Sequence, residues 1–295
     1  MRKKRYNNSI NWTFSAAKAA PKAGYFNRYA HMNMHIFYKT LPLIEEAFHR
    51  LEKKIEAPVL VSIGKCKFFR YKNKSIEAAI IQKLARIVSG LHACLVLLEN
   101  GLVQELGAIF RTLDEFDEDV IFLCQPLISG ETSDLHRKYL DSFYQEEYDN
   151  PEYPFLSSQK RQTIPRQKIH SAISKMPETP INPSDCKEIH RTISKAYSGF
   201  VHGASPHIMD MYGGNPPRFH VSGMAGTSRM DQFAENCGDY FYRGLISIMT
   251  ASLCFGEHEL SQKLMSFKNY FEKKTGKGIS GTPEGNLKKI KGKKA

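Results

Sequence analysis

The sequence predicts an all-α helical bundle of about seven or eight helices. Apolar residues recur at helical spacing through most of the chain. Segments that alternate apolar and polar residues are few and short. Glycine and proline gather between the periodic segments rather than inside them, most densely in residues 203–228, which read as a Gly/Pro-rich loop. The body, residues 29–275, reads as a single helical domain between a basic N-terminal arm (1–28) and a lysine-rich tail (276–295).

In chain order, the first helix is expected over Met32 to Glu56, where Met34, Phe37, Leu41, Ile44, Phe48, Leu51 and Ile55 form one stripe. Pro42 lies within it and predicts a kink or a split. Val59 to Tyr71, β-branched and aromatic, predicts a short extended piece. Ser75 caps a second helix running to Asn100, with a wide apolar face from Ile76 to Leu98. Gly101 breaks it.

A third helix runs from Gly101 to Ile128, with Leu106, Ile109, Phe110, Leu113, Val120 and Cys124 as its buried stripe. Gln104, Arg111, Glu115 and Glu118 are assigned to its polar side, while Asp117 projects onto the edge of the apolar stripe. A carboxylate there needs a partner, because an unpaired buried charge costs several kcal/mol, on the order of 3–5.

Glu131 to Tyr148 predicts a more polar helix, Asn150 to Pro165 a turn-rich segment, and Arg166 to Met176 a short helix. Pro177, Pro180 and Pro183 mark a linker, followed by one continuous helix from near Ser184 to His202, ended by Gly203. The loop beyond it is expected to hold a hairpin around Phe219 to Val221. Met230 to Phe255, apolar on nearly all sides, predicts the central helix, and His258 to Lys274 the last amphipathic one.

The net charge of +12 lies entirely in the two ends of the chain. Residues 1–28 carry seven cations and no acid, residues 276–295 six lysines and one glutamate, and the body is neutral. The body therefore gives no electrostatic argument for nucleic acid. Arg2, Lys3, Lys4, Arg5, Lys288, Lys289, Lys291, Lys293 and Lys294 are the candidates for holding RNA phosphates without sequence preference. The six cysteines, at 66, 94, 124, 186, 237 and 254, contain no CxxC and read as reduced thiols of a cytoplasmic protein. No membrane span is expected: the most apolar window, Gly244 to Gly256, falls short of the ~20 residues needed. No signal peptide is expected either, since Tyr6 to Thr13 is polar.

The candidate site lies on the helix ending at Gly203. Ile189, Ile193, Ala196, Tyr197 and Phe200 face inward, and Arg191, Lys195, Ser198 and His202 form a polar ridge on the opposite side. Two cations, a hydroxyl and an imidazole can hold a phosphate and move a proton. The same four residues equally describe the solvated face of an amphipathic helix, with His202 placed favourably at the negative end of the helix dipole.

The third helix, read as LENGLVQELGAIFRTLDEFDEDVIFL, together with the later AYSGFVHGAS, resembles a group of bacterial helical proteins allied to the HEPN superfamily. The resemblance extends over roughly residues 75–255. It implies metal-independent cleavage or binding of RNA by a defence or toxin factor, with no cofactor. The family motif is an arginine, four to six residues and a histidine near a helix end. Lys195, separated from His202 by six residues, occupies the arginine position, and lysine lacks the bidentate fork. The resemblance implies His202, Lys195 and Arg111 as the catalytic set. Arg111 would come from the neighbouring helix and Glu115 would orient it, with Ser198 and Arg191 in support.

Two other readings stand beside this one. A non-enzymatic interaction module, dimeric through its own surface, needs none of these residues. A metal-dependent hydrolase would draw on His202, His207, Asp210 and His220, whose residue types suit zinc or manganese. Glu46 and His49 match the Glu-x-x-His spacing of di-iron bundles, but no second copy exists.

Overall fold

The computed structural model describes residues 28–160, 162–175 and 183–276. The chain folds as a helical bundle with ten α-helices among the described residues. α1 (Arg28–Glu52), α2 (Ile76–Glu99), α3 (Val103–Ser129), α9 (Ser228–Cys254) and α10 (His258–Thr275) supply most of the core. The shorter α4 (Asp134–Phe143), α5 (Arg166–Ile173), α6 (Pro183–Ala196), α7 (Ser198–Val201) and α8 (Ser205–Met209) join them. The described residues also form two small antiparallel hairpins: β1 (Val59–Ile63) with β2 (Cys66–Arg70), and β3 (Tyr212–Gly213) with β4 (Arg218–Phe219).

α9 is the central helix, packed against α1, α2, α3 and α10. Its aromatic residues set the core layers. Phe241 stacks on Phe37 of α1 at 4.6 Å between ring centroids, and Tyr240 on Phe110 of α3 at 4.1 Å. α1 runs through Pro42 as one helix rather than two. α2 begins as expected, with the Ser75 hydroxyl accepting from the Ala78 N–H. At 24 residues it is also long and apolar enough to cross a membrane, which corrects the expectation that no segment is. In this fold it is a core helix: twelve of its residues are buried, and it packs on α1, α3 and α9.

Gly101 turns the chain between α2 and α3 with φ +70°. A Cβ there would meet the Ala225 backbone nitrogen at 2.6 Å, and the Gly101 carbonyl accepts from Met224 N–H at 2.7 Å. The loop after α8 is thereby fastened to the start of α3. A glycine is needed both for the left-handed backbone and for the close approach.

Three expectations change. The helix expected from Ser184 to His202 is two pieces, α6 and α7, interrupted at Tyr197 (φ −109°, ψ 3°). Tyr197 packs edge-on to Phe110 at 5.3 Å, and its hydroxyl accepts from Asn236 Nδ2 at 2.7 Å. The polar helix of 131–148 shrinks to α4, because residues 145–156 turn away to form an exposed loop with a 3₁₀ turn at Pro154–Leu156. The hairpin near Phe219 forms with Tyr212 and Gly213 as partners and does not include Val221.

Candidate functional site

Five acids in six residues, Asp114 to Asp119, pass along α3 at 100° per residue and cannot all face solvent. Four are buried: Asp114, Asp117, Glu118 and Asp119. Each is matched by groups from other helices. Arg243 of α9 donates to Asp114 Oδ1 and lies 3.7 Å from Asp117 Oδ2, and Ser247 donates to Asp117 Oδ1 at 2.7 Å. Burial pushes the Asp117 carboxyl up to about 6, with Arg243 and Ser247 acting against the rise. Asp117 thus has the partners its position demanded.

Glu118 corrects the sequence reading, which placed it on the polar side. It is only 1% exposed. Arg166 and His170 of α5 and His190 of α6 converge on it: His170 Nε2 lies 3.0 Å from Oε2 and His190 Nδ1 3.0 Å from Oε1, with Arg166 also on Oε2. Burial alone would raise this carboxyl, but the hydrogen bonds from the two histidines and the Arg166 charge hold it well below the usual carboxylate range. Arg166 also reaches Asp119, whose second oxygen takes Lys83 Nζ of α2 at 2.8 Å. One carboxylate helix therefore anchors α5, α6, α9 and α2.

This anchoring fixes a seam between α3 and α6–α7. The two run antiparallel, with four successive rungs: Glu118 to His190, Phe110 to Tyr197, Gly107 to Phe200, and Gln104 Nε2 donating to the His207 carbonyl at 2.7 Å. Arg111 lies on α3 between the first and third rungs. Its Nη2 pairs with Glu115 Oε1 at 2.7 Å, the i,i+4 pair the sequence suggested. Its Nη1 is buried and has no hydrogen-bond partner among the described residues.

On the other side of the seam, Lys195 and His202 are exposed and Ser198 is half-buried. His202 is the C-cap of α7. Because the helix breaks at Tyr197, Arg191 and Lys195 belong to α6, while Ser198 and His202 belong to α7. Arg191 donates from Nε to Glu188 at 2.8 Å. The structure packs α3, carrying Arg111 and Glu115, against α6 and α7, which carry Lys195, Ser198 and His202, while Arg191 forms an exposed pair with Glu188 one turn earlier on α6.

The histidines proposed as metal ligands do not gather. Asp210 is paired with Arg229, His220 Nε2 contacts the Gly213 carbonyl at 3.2 Å, and His207 packs edge-on to Phe200 at 4.6 Å. No group of three or more metal-binding side chains forms among the described residues. The basic residues at 2–5 and 288–294, assigned to RNA binding, lie outside the described residues.

Sequence reasoning missed Lys83, Arg166, His170, His190 and Arg243. The one available signal was the acid run itself: five acids in six helical residues require cationic partners from somewhere. No family model matches the chain, and neither a curated protein nor a solved structure matches it.

Proposed function

We propose that this is a HEPN-like, metal-independent RNA-binding and RNA-cleaving protein of the defence or toxin type, acting in the cytoplasm. Its site is the α3/α6–α7 seam. The observation that carries the reading is Arg111. It is fixed by Glu115 on the helix that packs against the segments bearing Lys195 and His202, and one of its N–H groups is buried without a partner among the described residues. A guanidinium with a spare donor, on a helix packed against those that carry an exposed lysine and an exposed imidazole, suits a phosphodiester.

In this reading, His202 takes the proton from a ribose 2′-hydroxyl, the 2′-oxygen attacks phosphorus, and the 5′-oxygen leaves with a proton from solvent. Arg111 and Lys195 stabilise the charge gathered on the non-bridging oxygens. Ser198 hydrogen-bonds the phosphate. The free thiols of Cys66, Cys94, Cys124, Cys237 and Cys254 fit the cytoplasmic assignment.

The test is incubation of purified protein with labelled RNA in excess chelator, beside a His202→Ala variant. Cleavage by the parent alone supports the reading. Identical background products from both overturn it. Loss of cleavage on adding chelator favours a metal-dependent reaction instead.

A second reading is a non-enzymatic interaction module, and one observation favours it: large apolar side chains of the β1–β2 hairpin and the loop after α4 are exposed among the described residues. RNA binding without turnover by either protein would select it.

A further inference from the structure

The β1–β2 hairpin stands out from the bundle with every residue of β2 exposed. Beside it runs the loop after α4, held to the hairpin by the Arg70–Glu146 ion pair, with Arg70 Nε donating at 2.6 Å. Between them lies a groove of about 470 Å³ whose apolar lining includes Ile63, Phe68, Tyr148, Tyr153 and Pro154. The next residue in the chain, Phe155, is 104% exposed, so its ring touches nothing. Leu156 is 71% exposed. Contiguous apolar exposure on this scale marks a surface that meets another molecule.

We infer that this face is a self-complementary interface, and that a second copy of the chain covers it by placing Phe155 of each protomer in the groove of the other. Two features name the occupant. First, the projecting ring and the groove lie side by side, Pro154 lining the groove and Phe155 projecting next to it. A two-fold axis through such a face makes contact i-to-j and j-to-i together, so both knobs and both grooves are filled by one operation. Second, the face carries opposite charges on its two halves. The hairpin side of the groove has Lys65 and Arg70, and the loop side has Glu146, Glu147 and Glu152, with Arg70 and Glu146 paired within the chain. The same two-fold sets the basic half of one protomer against the acidic half of the other, which favours a like chain over an apolar or singly charged partner.

The hairpin supplies a further reason for a cover. A two-stranded sheet with open edges and apolar residues on its exposed strand is marginal alone in water. The 3₁₀ turn holds Phe155 in place by a local bond, the Leu156 N–H donating to the Tyr153 carbonyl at 2.9 Å, so the ring is presented on a formed turn.

Sedimentation equilibrium of the full chain over a wide concentration range, beside Phe155→Asp and Phe155→Leu, tests this. Because Phe155 makes no contact within its own chain, neither variant disturbs the fold, and circular dichroism checks that. The expected result is a dimer for the parent, weakened ten-fold or more by Phe155→Asp and largely kept by Phe155→Leu. A parent that stays monomeric overturns the inference, and would leave the groove to a different protein or to this chain's own N-terminal segment. So does a Phe155→Asp variant that dimerises as tightly as the parent.

Discussion

Phe200 of α7 seats its ring where residue 107 of α3 would place a Cβ: a methyl group there would come within 2.7 Å of the ring. The contact sets how closely α7 lies on α3, and so where His202 and Ser198 stand relative to Arg111.

Gly107→Ala therefore is expected to destabilise the protein although alanine is the better helix former by about 1 kcal/mol. Three ring atoms lie within 3.0 Å of the new methyl, so the ring, and α7 with it, must shift. The net loss is about 1–2 kcal/mol, and more for Gly107→Val. Urea unfolding measures it. An unchanged or raised midpoint would mean that Phe200 does not hold the seam.

The Asp117 carboxyl gives the protein a pH signature of its own. Its folded value of about 6 exceeds the unfolded 3.8. Between those values the folded state holds more protons, so this group makes stability fall as pH rises, levelling off above about 6. The fall is roughly 3 kcal/mol, since each tenfold change in proton affinity is worth about 1.4 kcal/mol. Asp117→Asn removes it. Unfolding at pH 4 and pH 6.5 should show the parent losing stability relative to the variant, and parallel profiles would contradict the assignment.

How far these features were legible depends on whether their cause was local. The long helices were readable because their apolar stripes recur every three to four residues, and the Ser75 cap because its partner, Ala78, is three residues away. The need of Asp117 for a partner was readable from its angular position. That the partners are Arg243 and Ser247 was not, since they lie about 130 residues further on. Glu118 was misplaced for the same reason: on a helix ringed with acids, only the arrival of α5 and α6 decides which side is buried. The break at Tyr197 follows from its packing against Phe110 and Asn236, neither of which is near it in sequence.

Glu118 acts in the opposite pH direction. Its folded value is depressed below 4.5, so its contribution is full above about pH 4.5 and is lost as pH falls through the folded value. Glu118→Gln at neutral pH should cost about 3 kcal/mol, because His170, His190 and Arg166 lose a shared buried anion. Amide hydrogen exchange should rise in α5 first. Unchanged exchange over Arg166–Ile173 would show that this carboxylate does not hold α5 in place.

If the basic ends hold RNA phosphates, deleting residues 1–28 and 276–295 removes the whole net charge of +12. RNA affinity should fall, and the slope of log affinity against log salt should flatten in proportion to the phosphates that are no longer neutralised. A salt titration of both proteins measures it. Equal slopes would assign the phosphate binding to the body.

The central claim is that Arg111 and His202 form one site across the α3/α6–α7 seam. The most direct measurement is RNA turnover in excess chelator by the parent, Arg111→Ala, His202→Ala and the double variant. Groups that act on the same phosphate lose most of their effect together, so the double variant should be little slower than the worse single one. Effects that multiply independently, or single variants that cleave as fast as the parent, would contradict the account.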